Sequence, residues 1–268
     1  MSLAWRLRDE DMRFLLETVA SHVDPDGVHA WNEAWLEEVL SDDQVFERLV
    51  NSKEFLLQVS PWLYFNVLLR RAQQDLVSET FTMERRSRQK VVLFDTEQVA
   101  DLLGQPEIRD YLSGLLASFT RVASMTVRVN VGRGVWRRYR TNDLDVEGMI
   151  RYAEAVEEPF RFEPYKRIGD VCLFMTGMFP EHIETQHRYA ATRQIRPGSR
   201  GRLLQQREDY ERYGKAFYRM AAEHERAGVG GLDAVLETLA EHFLLAEKPL
   251  AFLSQRYLWA NRHQLFGL

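Results

Sequence analysis

Apolar residues recur three and four positions apart through most of this chain, and that spacing predicts helices. Met12, Leu15, Leu16 and Val19 form one apolar edge within "RDEDMRFLLETVASHV". Asp24-Pro25-Asp26-Gly27 then predicts a turn. "HAWNEAWLEEVL" and "SDDQVFERLV" predict two short helices, the second capped by Ser41 with acids in its first turn. "SPWLYFNVLLRRAQQDLV" predicts a long, largely apolar helix, with Ser60 as cap and Pro61 at its first position. Residues 79–93 change to a basic pattern and are expected as a connector or exposed arm.

The next apolar stretch, "DTEQVADLLGQPEIRDYLSGLLASFTRV", predicts two helices broken near Gly104 and Pro106. Beyond residue 141 the pattern is again helical. "NDLDVEGMIRYAEAV" takes Asp143 as its expected cap and stops before Pro159. A helix with an apolar interior follows in "YKRIGDVCLFMTGMFPEHI". Residues 189–203 are basic and carry Gly and Pro. Three helices are expected at the end, near 205–226, 230–247 and 249–265, punctuated by Gly228, Gly230, Gly231 and Pro249. No internal repeat is present.

Only "TVRVNVGRGVWRRYR", residues 126–140, alternates with the period of a strand. With Gly132-Arg133-Gly134 as a three-residue loop, it predicts a β-hairpin. Val131 then faces Val135, Val129 faces Arg137 and Val127 faces Tyr139 on one face. The other face takes Thr126, Arg128, Asn130, Trp136, Arg138 and Arg140, with Arg128 directly opposite Arg138. Like charges across a strand pair cost about 0.2–1 kcal/mol, so an anion is expected nearby. The expected fold is therefore mainly α: a multi-helix bundle with one central β-hairpin. It forms either one domain or two lobes, an N-terminal lobe over 1–140 that ends in the hairpin and a C-terminal lobe over 141–268.

Charge sharpens this picture. The net charge is −5 over 268 residues. Residues 1–60 carry 5 basic and 13 acidic side chains, whereas residues 61–140 carry 13 basic and 8 acidic. A basic middle meets either an external anion or the acidic part of its own fold. Of the 35 basic residues 30 are Arg, so the choice of Arg over Lys carries little information. The single cysteine, Cys172, excludes an intrachain disulfide and a Cys-based zinc cluster. No apolar run reaches the roughly 18 residues a membrane span needs. The acidic N-terminus is unlike a secretion signal, and a cytoplasmic location is expected.

Candidate chemistry is sparse. A basic hairpin after a helix pair is the layout of a winged helix-turn-helix, and Val99, Ala100, Leu103 and Gly104 suit its first helix. Gln105, Asp110 and Ser113 stand where its second half wants apolar residues. Glu184-x-x-His187 has the spacing of half a di-metal site, but there is no second such pair. Arg219 and His224 have the spacing of a helical ribonuclease, with Met220 where a polar residue belongs. No phosphate loop, dinucleotide fingerprint or serine-hydrolase elbow is present.

The block "YKRIGDVCLFMTGMFPE", with "YERYGKAFYRMAAEH" and "LETLAEHF" downstream, resembles a segment of uncharacterised bacterial helical proteins. The resemblance covers about the last hundred residues and implies a helical fold, with no activity and no catalytic residues. The expectation for function is a non-enzymatic binding or regulatory protein. It would use Arg128, Arg133, Trp136, Arg138 and Arg140 toward nucleic acid or an acidic protein, without cofactor or metal. Two alternatives stand beside it: a structural or oligomerising protein whose hairpin docks on its own acidic surface, as in a homo-oligomer, and a helical ribonuclease-like enzyme.

Overall fold

The computed structural model describes residues 3–19, 32–52, 58–78, 82–86, 89–93, 95–120, 124–130, 136–142, 144–183 and 206–267. Within 82–93 and 124–142 it describes backbone alone. These residues are mainly helical. The helices are α1 (Asp9–Val19), α2 (Glu33–Val39), α3 (Asp43–Asn51), α4 (Pro61–Ser78), α5 (Thr96–Gly104) and α6 (Pro106–Phe119). They continue with α7 (Val146–Ala155), α8 (Phe162–Met178), α9 (Arg207–Ala222), α10 (Glu225–Gly230), α11 (Asp233–Glu241), α12 (Phe243–Arg256) and α13 (Arg262–Phe266). Among the described residues no helix is long and apolar enough to cross a membrane.

The chain divides into two compact units. One comprises Met1–Glu84, Val91–Thr120 and Gln255–Leu268; the other comprises Arg85–Lys90 and Arg121–Ser254. These units do not coincide with segments 1–140 and 141–268. The region around the expected hairpin groups with the second unit, and the C-terminus returns to the first.

The first unit is built on α4. Its residues are buried on nearly every side, including Leu63, Phe65, Leu68 and Leu69. Ser60 caps it as the sequence suggests, its Oγ accepting from the Leu63 N–H at 3.1 Å. The Ser60 N–H in turn donates to the buried carboxylate of Asp11 at 2.6 Å, tying the start of α4 to α1. α5 and α6 lie along α4 and bury Val99, Leu103, Ile108, Leu112, Leu116 and Phe119. The C-terminal segment completes the unit. Phe266 stacks on Phe65 at 5.8 Å between centroids, and the Tyr257 hydroxyl donates to Asp75 at 2.7 Å.

The second unit is a close-packed group of helices around α8, nearly all of whose central residues are buried. Glycines let its partners approach. A Cβ at Gly169 would stand 2.5 Å from the Tyr218 ring, one at Gly177 2.6 Å from Leu250, and one at Gly214 2.3 Å from Phe243. Helices α8, α9 and α12 therefore meet at distances that only glycine permits. Gly231 has a φ of 65°, the left-handed conformation that closes α10, and the Leu232 N–H caps the helix on the Ala227 carbonyl.

Several boundaries differ from the sequence reading. Asp42, not Ser41, caps α3, because its carboxylate reaches the Gln44 N–H at 2.7 Å; Ser41 instead donates to the Glu37 carbonyl at 2.8 Å. Asp145, not Asp143, caps α7 through the Gly148 N–H at 2.9 Å. Pro249 does not break a helix but lies inside α12. The break falls at His242, whose carbonyl accepts from both Leu245 and Ala246 and so begins α12. Residues 79–93 are not a plain connector: Thr82–Arg86 (β1) and Gln89–Leu93 (β2) pair with each other. Ser124–Asn130 (β3) and Trp136–Asn142 (β4) pair antiparallel. Val129 stands opposite Arg137, Val127 opposite Tyr139 and Arg128 opposite Arg138. The expected loop and the pairing of Val131 with Val135 lie outside the described residues.

Two alanine substitutions test the packing. Gly214→Ala gains about 1 kcal/mol of helix propensity but overpacks the Phe243 ring, at a cost of about 1–3 kcal/mol or more. A net loss of stability is expected in urea denaturation. Gly114→Ala on α6, where nothing stands within 4 Å of the new Cβ, should stabilise by about 0.5–1 kcal/mol.

Candidate functional site

The strand pair β3–β4 carries four of the five residues singled out for anion binding: Arg128, Trp136, Arg138 and Arg140. Arg133 lies outside the described residues. The register puts the backbone of Arg128 beside that of Arg138, and that of Thr126 beside that of Arg140. Arg85, Arg86 and Lys90 of β1 and β2 belong to the same unit as this strand pair.

The helix pair preceding the strands does not have the surface of a DNA-reading helix. On α6 the one basic residue, Arg109, is buried, and the outward positions are Glu107, Gly114, Ala117 and Ser118. Asp110 and Ser113, which break the winged-helix pattern, face α4 instead. Asp110 accepts from the Trp62 indole at 3.0 Å, and the Ser113 hydroxyl accepts from Asn66 at 3.2 Å. Moreover α5 and α6 fall in the first unit and the strands in the second. A recognition helix needs exposed basic and amide donors for phosphate and base edges, and α6 carries neither.

The nuclease arrangement is not formed either. His224 is buried and caps α10, its Nδ1 accepting from the Arg226 N–H at 3.2 Å. That leaves Nε2 to carry the proton and donate to the Glu158 carbonyl at 3.0 Å. With both nitrogens bound to backbone, none is left for proton transfer, and Arg219 is simply an exposed residue of α9. The pair Glu184 and His187 lies outside the described residues. Among the described residues no group of three or more His, Cys, Asp or Glu could hold a metal ion. Cys172 is fully buried, and burial pushes its thiol up, with Glu247 and Asp170 adding to the shift; it is a core residue, not a nucleophile.

Three charged clusters escaped the sequence reading. In the first unit, Arg70 and Arg109 converge on Glu37. Arg70 bonds to the Glu37 carboxylate, to Asn66 at 2.8 Å and to Ser41 at 3.2 Å. Arg109 reaches the same carboxylate at 3.1 Å and the Leu103 carbonyl at 3.1 Å. Both guanidiniums are buried while Glu37 is half-buried. Burial, and then the neighbouring Arg70, bring the Arg109 pKa down to about 10. Hydrogen bonding from Arg70 holds the Glu37 carboxyl below its usual range against the opposing effect of burial. Other acids of this unit are engaged in the same way: Glu17 with Arg48, Asp43 with Arg71, Asp75 with Arg71 and Arg256, and Asp110 with Arg6.

No family model matches the chain, and no curated protein or solved structure matches it. The residues themselves carry the functional reading.

In the second unit, Tyr218 is fully buried and donates to Asp170 at 2.9 Å, while Lys166 holds the other oxygen of Asp170 at 2.7 Å. Further along, Arg207 bridges Glu211 at 2.9 Å and the buried Glu247 at 2.5 Å. The sequence signal for all of these was a polar residue within an apolar helical run: Arg70 in "NVLLRRA", Asp170 in "IGDVCLF" and Glu247 in "LLAEKPLAF". Such a residue is stable only with a partner, and the partner is distant in sequence.

The depressed Glu37 carboxyl has a measurable consequence. Its folded pKa lies below the ordinary 4.5, so its stabilisation is complete above that value and is lost as pH falls through the lower folded value. Acid titration of unfolding should show Glu37→Gln less stable than wild type at pH 6, and the difference should shrink below pH ~4. His224→Ala should cost about 1–2 kcal/mol at neutral pH through loss of the cap, read by thermal melting.

Proposed function

We propose that this chain is a cytoplasmic, non-enzymatic binding protein. Its β3–β4 region presents Arg128, Arg133, Trp136, Arg138 and Arg140 to the phosphates of a nucleic acid. The observation that carries this reading is the register: two arginines, Arg128 and Arg138, are directly paired across antiparallel strands. Like charges in that position repel unless an anion lies close by.

The source of that anion is the point at issue between this reading and the docking of the hairpin on its own acidic surface. Acids of the first unit favour an outside source. Glu17, Glu37, Asp43, Asp75 and Asp110 already pair with arginines of their own unit. Arg85, Arg86 and Lys90, which belong to the same unit as β3–β4, are taken as part of the proposed surface. The aromatic Trp136 beside arginines suits stacking on an unpaired base. The single buried cysteine suits a reducing compartment.

Binding of the purified chain to single-stranded and duplex nucleic acid across a salt series tests the reading. Each phosphate contact to duplex contributes a slope of about −0.9 in log affinity against log salt, and about −0.7 to a single strand. A slope of several units is expected, reduced by about one in Arg138→Glu and abolished with Arg128→Glu added, at unchanged helical circular dichroism. Absence of binding at low salt would overturn the proposal. If the double charge reversal then lowered the melting temperature or dissociated an oligomer, the arginines would be serving an acidic surface of the protein itself.

A further inference from the structure

The second unit holds more buried negative charge than positive at one point. Glu247 of α12 is 1% exposed. Its Oε2 accepts from Arg207 Nη2 at 2.5 Å, while Oε1 is buried with no donor aligned on it. Arg207 is shared, because its Nε donates to Glu211, one turn along α9, at 2.9 Å. Two carboxylates therefore meet one guanidinium. Among the described residues no other charged side chain pairs with Glu211 or Glu247. From α8 come Cys172 and Thr176, whose hydroxyl donates to the Cys172 and Leu173 carbonyls at 2.9 and 3.2 Å. Asp170 on α8 is occupied by Lys166 and Tyr218. The buried residues of α11, which are Val235, Leu236, Leu239 and Ala240, are all apolar.

We propose that Arg207, Glu211 and Glu247 form a proton-binding switch, in which one proton on Glu247 neutralises the cluster and seats the first turn of α9 against α12. Without that proton one negative charge is left over in the interior, and an uncompensated buried charge is strongly unfavourable. Arg207 is the first residue of α9, where the fewest helical hydrogen bonds resist movement. Loosening of that turn admits water to the carboxylates and relieves the charge.

The position of the switch lies in the physiological range. Burial pushes Glu247 from 4.5 up to about 7; Arg207 opposes this, Glu211 adds to it, and the hydroxyl of Thr176 also opposes it. A folded pKa above the unfolded one gives stabilisation that is complete below about 4.5 and is lost as pH rises through about 7.

The experiment combines melting temperature with amide hydrogen exchange, corrected for intrinsic rate, on the full chain from pH 5 to pH 8. Wild type should lose melting temperature across this interval and exchange faster at residues 207–211 at pH 8 than at pH 5. Glu247→Gln, neutral at every pH, should match wild type at pH 5, melt higher than it at pH 8 and show no pH-dependent exchange in that turn. Glu211→Gln keeps the switch but removes the charge that raises it, so its transition should move to lower pH. It also tests the proposal should the Glu247 variant not fold. Parallel pH profiles in wild type and Glu247→Gln, or an unmoved transition in Glu211→Gln, would overturn it.

Discussion

The second unit depends on one arrangement: the ring of Tyr218 lying on the bare Cα of Gly169, with its hydroxyl on Asp170. The side chain is fully buried, so its hydroxyl must find an acceptor, and the residue next to the glycine supplies it. A side chain at 169 would push α9 away from α8. An apolar residue at 170 would leave the hydroxyl unpaired, which costs about 1–3 kcal/mol. Gly177 against Leu250 and Gly214 against Phe243 extend the same close approach to α12. Gly169, Asp170, Gly214 and Phe243 are thus the residues that make this interior possible.

Arginine does two different jobs in this chain. Arg70 and Arg109 are interior residues, their forks filled by carboxylate, amide and carbonyl oxygens, and they hold α2 to α4 and α6. Planar, multiply bonded guanidiniums suit such sites better than a lysine ammonium would. Those on β3 and β4 stand in a register that brings like charges together instead. The same residue type is structural in one unit and proposed as a ligand for anions in the other, so abundance of Arg alone says nothing about partners.

Much of the helical framework was legible in the sequence because amphipathic spacing is a local property. The apolar edge of α1, the Ser60–Pro61 start of α4 and the break at Gly104–Pro106 all follow from residues within a few positions of one another. Caps were less legible where two acceptors adjoin. Ser41 and Asp42 are equally good by type, and only the direction of entry into α3 selects Asp42. Pro249 misled because proline usually ends a helix, whereas α12 starts six residues earlier and runs through it. The charged clusters were illegible for a different reason. Glu37 lies 33 positions from Arg70 and 72 from Arg109, Asp170 lies 48 from Tyr218 and Glu247 lies 40 from Arg207, and no local pattern ties one to another. The division into units was hidden likewise, since the first unit is assembled from three separate stretches.

That threefold assembly sets an order on the birth of the protein. Residues 255–268 supply Phe266 to stack on Phe65 and Tyr257 to bond Asp75, yet they are made after all of the second unit. Everything the second unit draws on ends at Ser254, so it can close while residues 255–268 are still in the tunnel. The first unit, begun before the second, must wait with the Phe65 face of α4 uncovered until Phe266 has emerged. Of the two units, the one begun first is therefore completed second, and a ribosome that stops at Ser254 leaves an apolar helix without its cover.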